Sequence, residues 1–365
     1  MVAVMREEEA MAKEAKARRM VGNWLLVGVI MTVVQILLGG ITRLTGSGLS
    51  ITEWDVVTGS LPPLNQAQWM EEFAKYQTTP QYRLLNVDFT LGDFKFIYFW
   101  EWFHRLWARL IGLVFAAGFI YFLAKRYFKA GMVRPLVVLF LLGGLQGAVG
   151  WIMVASGLTG DAVYVKPTRL ALHFVFALGL LCYTFWLMLS FKTQASQRVA
   201  TDALKSFTWL LLGLLVLQLG YGALMAGHKA ASAAPTWPTI NGSLLAPAGL
   251  WQGSHGLVNF IDNKIMVHYI HRGLAYLLVV LLVAYALRLK KLGGLAGRRW
   301  WWPVAMVGLQ LLLGIASVLG ATQIVPNAWG FFEWMAQLHQ LGGMCLLLML
   351  IYFLYLTSGG KKELR

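Results

Sequence analysis

Apolar and polar positions alternate along the chain on a long scale, giving eight apolar runs at 22–42, 96–123, 134–155, 169–190, 207–227, 265–288, 302–321 and 334–357. Each is long enough, at about 1.5 Å per residue, to cross a hydrocarbon layer of about 30 Å as a helix. The pattern predicts an all-α polytopic membrane protein with eight transmembrane helices. Residues 1–21 alternate Glu, Ala, Lys and Arg and end near Arg18-Arg19, without the apolar core and cleavage site of a secretory signal. They predict a cytoplasmic, helical tail.

Lys and Arg in the connections orient the spans. The side holding the N-terminus carries twenty, including Arg18, Arg19, Lys125, Arg126, Arg298, Arg299, Lys361, Lys362 and Arg365. The other side carries eight (Arg43, Lys75, Arg83, Lys95, Lys166, Arg169, Lys229 and Lys264), although two of its loops are the longest in the chain. The positive-inside rule then predicts both termini in the cytoplasm. The expected membrane is the bacterial inner membrane, with the mitochondrial inner membrane as the alternative.

Composition adds exclusions. With 58% hydrophobic and 13% charged residues, the chain is not a soluble globule. Its net charge of +15 would suggest nucleic acid in a soluble protein; here the charges lie where membrane orientation needs them, so no nucleic-acid partner is expected. The two cysteines, Cys182 and Cys345, fall in apolar runs, which leaves no disulfide framework and no cysteine-rich metal site.

Ionisable groups inside apolar runs are costly and mark function. The second run contains Glu101-Trp102-Phe103-His104-Arg105, with Glu101 and His104 on one helix face. The sixth contains His268-Tyr269-Ile270-His271-Arg272. All four even-numbered runs carry a histidine near the predicted outer end, His104, His173, His271 and His339, about 6–12 Å below the boundary. The odd-numbered runs each carry Gln-x-x-x-Gly, at Gln35, Gln146, Gln218 and Gln310. The intervals His104 to His271, His173 to His339 and Gln146 to Gln310 are 167, 166 and 164 residues, so the chain reads as a tandem duplication. Its expected parts are a tail (1–21), an N-terminal four-helix half (22–190), a linker (191–206), a C-terminal four-helix half (207–357) and a tail (358–365). Gln-x-x-x-Gly is expected to serve close helix packing, with the amide as interhelical glue.

A lone membrane histidine is usually a hydrogen-bonded packing residue, but four at one depth ask for a common ligand. One histidine from each of two neighbouring helices suits axial ligation of a haem iron; zinc or copper would want three or four close ligands. Arg43, Arg105, Arg272, Lys166 and Arg169 are candidate partners for haem propionates, and each could instead snorkel to the interface. For Glu101, proton transfer and a plain ion pair with Arg105 or Arg109 both stay open. His268 is expected to be either a supporting partner of a neighbouring site residue or, more simply, a polar residue at the interface. The outer loops, 43–94 and 228–264, are expected to form an aromatic belt and amphipathic helices over the bundle, with His228 and His255 exposed.

The run Gly39-Gly40-Ile41-Thr42-Arg43-Leu44-Thr45-Gly46-Ser47-Gly48-Leu49-Ser50, continued by Glu53-Trp54 and Leu61-Pro62-Pro63, resembles the signature of the haem A synthase family. So do Glu101 to Arg105, His173, Tyr269 to Arg272 and Leu338-His339-Gln340, in order over essentially the whole chain. The resemblance implies an oxidoreductase of two four-helix halves that converts the C8 methyl of haem O to the formyl of haem A for terminal oxidase assembly. It implies haem B as cofactor between His271 and His339, with Arg272 beside it, and the substrate haem between His104 and His173, with Arg105 beside it. Glu101 would be the catalytic acid. Some members carry a cysteine pair in an outer loop; this chain has none there, so it resembles the cysteine-free subgroup. Haem O synthase is a candidate partner, and no motif names the electron acceptor. Two alternatives remain: a di-haem membrane electron-transfer protein without substrate chemistry, which would have little use for a carboxylate in one half only, and a haem carrier.

Overall fold

The computed structural model describes residues 2–53, 58–129, 131–245, 247–325 and 328–359. Trp54 and the terminal Lys361, Lys362 and Arg365 lie outside them. The described residues contain eight helices long and apolar enough to span a membrane. They are α1 (Val2–Leu44), α2 (Leu91–Ala124), α3 (Val133–Ala155), α4 (Pro167–Lys192), α5 (Asp202–Gly227), α6 (Lys264–Lys290), α7 (Trp302–Gly320) and α8 (Phe331–Thr357).

The helix starts follow local chemistry. Thr90 and Asp93 form a reciprocal cap on α2, the Asp93 carboxylate accepting from Thr90 N at 2.9 Å and Thr90 Oγ1 from Asp93 N at 3.3 Å. Asn263 caps α6 by accepting from Ile265 N at 2.9 Å. Pro167 opens α4, where its missing N–H costs nothing. The tail is helical, as expected, and α1 continues through it into the first span without a break.

Contacts between spans run α1 to α2, α2 to α3, α3 to α4 and α4 back to α1, and likewise α5 to α6, α6 to α7, α7 to α8 and α8 back to α5. α4 meets α5 and α8, and α1 meets α8. Burial follows from this order: 67% of the apolar window of α8 is buried against 6% of that of α2, so α8 is the central staff and α2 faces lipid. At the centre Leu181, Leu211, Leu350 and Phe353 pack with Leu282 and Tyr285. Apolar side chains gain little over lipid tails here, and polar cross-links do more to fix the arrangement. Gln337 and Gln340 of α8 donate to Leu37 O at 3.0 Å and Ile36 O at 2.9 Å on α1.

Both long loops emerge at the same end. In the first, helices Gln66–Gln77 and Pro80–Leu85 lie over α2, where Phe73 and Tyr76 pack on Phe94, Ile97 and Tyr98. Lys75 sits among Glu53, Glu71 and Glu72 at 2.8–3.4 Å, and its hydrogen bonds to Glu72 and Glu53 raise its pKa. In the second, His228 is no exposed residue: its side chain is 8% accessible, and Nε2 lies 2.8 Å from Ile261 O and 3.7 Å from the Asp262 carboxylate. His255 is exposed.

Candidate functional site: four histidine seats on one cavity

Each Gln-x-x-x-Gly stretch faces a histidine of the next span. A Cβ added at Gly39 would come within 3.3 Å of the His104 ring, at Gly150 within 2.9 Å of His173, at Gly222 within 3.3 Å of His271, and at Gly314 within 2.9 Å of His339. The missing side chain is therefore the seat of an imidazole. One turn away on the same face, the glutamine amide holds the same residue. Gln35, Gln146 and Gln310 donate to the backbone carbonyls of His104, His173 and His339 at 3.2, 3.1 and 2.9 Å. Gln218 Nε2 lies 3.4 Å from His271 Nε2. His339 also donates from Nδ1 to Gln310 O at 3.1 Å, which leaves its Nε2 lone pair available to a metal. The expected interhelical glue is thus present, with a histidine as its partner; the signal in the sequence was that all four motifs precede a histidine by one span.

The four histidines line a single cavity of about 1630 Å³, together with the four glutamines and four glycines. That exceeds the roughly 300–1,000 Å³ of a site for one small ligand. Within each set of four spans the histidine pair faces across the middle, from α2 and α4 and from α6 and α8, rather than from neighbouring helices. The His271 and His339 rings are 6.2 Å apart between centroids, at 79°. One metal ion between two imidazoles, with bonds of about 2.0 Å, needs a separation of about 6 Å. The side-chain oxygens of all four glutamines and Nδ1 of His271 are buried without a protein partner, as expected of a cavity built around a polar-centred guest. Among the described residues no three His, Cys, Asp or Glu side chains cluster closely enough to bind a metal by themselves. The donor set, two facing imidazoles and no further ligand, would fit a metal that arrives already held by another ligand. Lys166 and Arg169 lie off the cavity wall, and Arg169 caps Ile152 O at 2.9 Å.

Glu101 and Arg105 also line the cavity and form an ion pair at 2.6 Å. Glu101 is 2% exposed, and its Oε2 accepts from Ser50 N, Ser50 Oγ and Ile51 N at 2.8, 2.7 and 2.9 Å. Arg105 donates to Glu53 O at 3.0 Å and Ile51 O at 3.1 Å. The pair therefore fastens the segment after α1 to α2. The sixth span repeats this with histidine in place of glutamate. His268 is fully buried, not interfacial, and accepts from Arg272 Nε at 3.2 Å. Arg272 donates to Thr239 O at 3.0 Å and Thr236 O at 2.5 Å, which fastens the second loop to α6. The equivalence is legible in the sequence, where a histidine takes the place of the glutamate four residues before an arginine; the burial of His268 is not.

Taken together, the spans and the seats define a multi-pass helical membrane protein whose interior cavity is lined by two pairs of imidazoles. The chain belongs to the cytochrome oxidase assembly protein family, whose profile matches residues 22–351. It is 41% identical over 343 residues to the heme A synthase of Paracoccus denitrificans (strain Pd 1222), covering 92% of this chain and 87% of that protein. It is 40% identical over 357 residues to the heme A synthase of Cereibacter sphaeroides (strain ATCC 17029), covering 93% and 88%. To that of Methylorubrum extorquens (strain PA1) it is 40% identical over 339 residues, covering 92% and 86%. No solved structure matches the chain significantly.

Proposed function

We propose that this chain is a haem A synthase, a membrane enzyme that oxidises the C8 methyl of haem O to a formyl group. The observation that carries the reading is the fourfold histidine seat on one cavity, in a chain similar over almost its whole length to proteins named for this activity. The spans form two tandem four-helix halves with both termini cytoplasmic. His104 and His173 hold the substrate haem; His271 and His339 hold haem B, which when bound supplies a one-electron acceptor.

Converting an aryl methyl to an aldehyde takes up one water oxygen and releases four electrons and four protons. The chain must therefore position water and accept protons close to His104. Glu101 lies one helical turn from His104, and its four hydrogen bonds give the carboxylate a fixed direction, which proton transfer needs. A pure electron carrier would need both histidine pairs, but it would not need a carboxylate in one half where the other has His268.

The test is to express the chain with a source of haem O and to identify extracted haems by mass. Haem A formed by wild type and lost in Glu101→Gln, with haem B retained, supports the assignment. Bound haem B with haem O unchanged overturns it in favour of electron transfer.

A further inference from the structure

The cavity wall carries several cations, of which Arg105, Arg272 and Lys229 are already engaged. The guanidinium of Arg105 is held by Glu101 and two loop carbonyls, and that of Arg272 by His268 and the carbonyls of Thr236 and Thr239. Lys229 lies over the Tyr164 ring at 3.8 Å. Arg43 differs: it lines the cavity, its Nε is buried, and no hydrogen bond or ion pair from a described residue reaches it. The carboxylate of Glu333 on α8 acts on it through space without a direct contact, and its Oε2 is engaged by Gly330 N at 2.9 Å. A guanidinium with a buried Nε and no direct acceptor is costly, so the site has a place for an anion that comes with the guest.

Its place fixes which guest. Arg43 follows Gly39 by four residues, on the same face of α1 and about 6 Å further towards the loop end. Gly39 is the seat of His104. A porphyrin carries its carboxylates on one edge, away from the iron, and one in the N-terminal seat would bring that edge to the loop end of α1. We infer that Arg43 is the carboxylate anchor of the porphyrin seated at His104, and that it sets which way round the substrate enters. Arginine suits the role because its fork pairs with both carboxylate oxygens. The inference rests on reading the His104 and His173 pair as a porphyrin seat.

The test uses the purified full-length chain in detergent, titrated with iron protoporphyrin IX and with its dimethyl ester, and follows uptake by the Soret band. A charge-assisted pair predicts that wild type binds the free acid about 10- to 100-fold tighter than the ester. Arg43→Gln should remove that preference by weakening the acid alone, and Arg43→Lys should keep part of it. Uptake that depends on His104 but shows no preference for the acid, or an Arg43→Gln variant in which acid and ester weaken together, overturns the role of Arg43 while the porphyrin seat stands. Absence of any uptake sensitive to His104→Ala overturns the seat itself.

Discussion

Replacing Gly314 by alanine probes the histidine seat most sharply. A methyl group there would come 2.9 Å from His339 Cε1. Ordinary contact begins at 3.4 Å, so the ring must retreat by roughly half an ångström. The Nδ1 bond to Gln310 O, now 3.1 Å, would then lengthen to about 3.6 Å and be lost. Disturbing a partner that orients a metal-bound histidine costs about 10- to 100-fold in metal affinity or activity. Helix propensity works the other way, since alanine is better than glycine by about 1 kcal/mol, so the helix itself is not weakened. Gly222→Ala is the internal control: its methyl would meet His271 at 3.3 Å, where a few tenths of an ångström suffice. The assay is haem content per chain and the low-spin absorption spectrum after purification. Gly314→Ala should lose haem B by 10-fold or more while Gly222→Ala retains most of it. Equal losses in the two variants, or none in either, would refute the idea that the glycines exist to seat the rings.

Other expectations follow from the same geometry. Glu101→Ala strands Arg105 and the N–H groups of Ser50 and Ile51, so it should cost about 3–5 kcal/mol of stability, read as a lowered thermal midpoint. Glu101→Gln keeps an acceptor oxygen and should lose conversion with a much smaller shift; equal destabilisation by both would argue against a chemical role. Arg272→Lys cannot reach Thr236 O, Thr239 O and His268 together, so limited proteolysis should cut residues 228–263 faster than in wild type, and unchanged cleavage would contradict the fastening role. Gln337→Leu with Gln340→Leu removes two bonds between α1 and α8 and should cost about 1–3 kcal/mol in sum, measured by thermal unfolding in detergent.

The spans were legible to within a few residues because apolar length is set by the membrane, not by the rest of the protein. The exceptions have local causes. α2 and α5 begin at Leu91 and Asp202, each five residues before its apolar run; in α2 the Thr90 and Asp93 cap starts the helix among polar residues. α1 continues back to Val2 because nothing in the tail breaks it. Repetition made the four histidines and the Gln-x-x-x-Gly motifs visible. Their facing across the middle of each set of spans, and the fit of each glycine to one ring, depend on packing that no single segment encodes. The sequence left His268 open between a supporting partner and an interfacial group, because its burial comes from the second loop folding back over α6, through bonds that span more than thirty residues. The same holds for Arg105, whose loop carbonyl partners lie some fifty residues earlier.

Two porphyrin seats on one cavity, only one of them converting its guest, is the central claim. Counting haems by species per purified chain, in cells that make haem B and haem O, tests it most directly. Wild type should hold haem B together with haem O or haem A. His104→Ala should lose only the haem O-derived species, and His271→Ala should lose haem B. A single haem per wild-type chain, or variants that each lose both haems in equal measure, would contradict it.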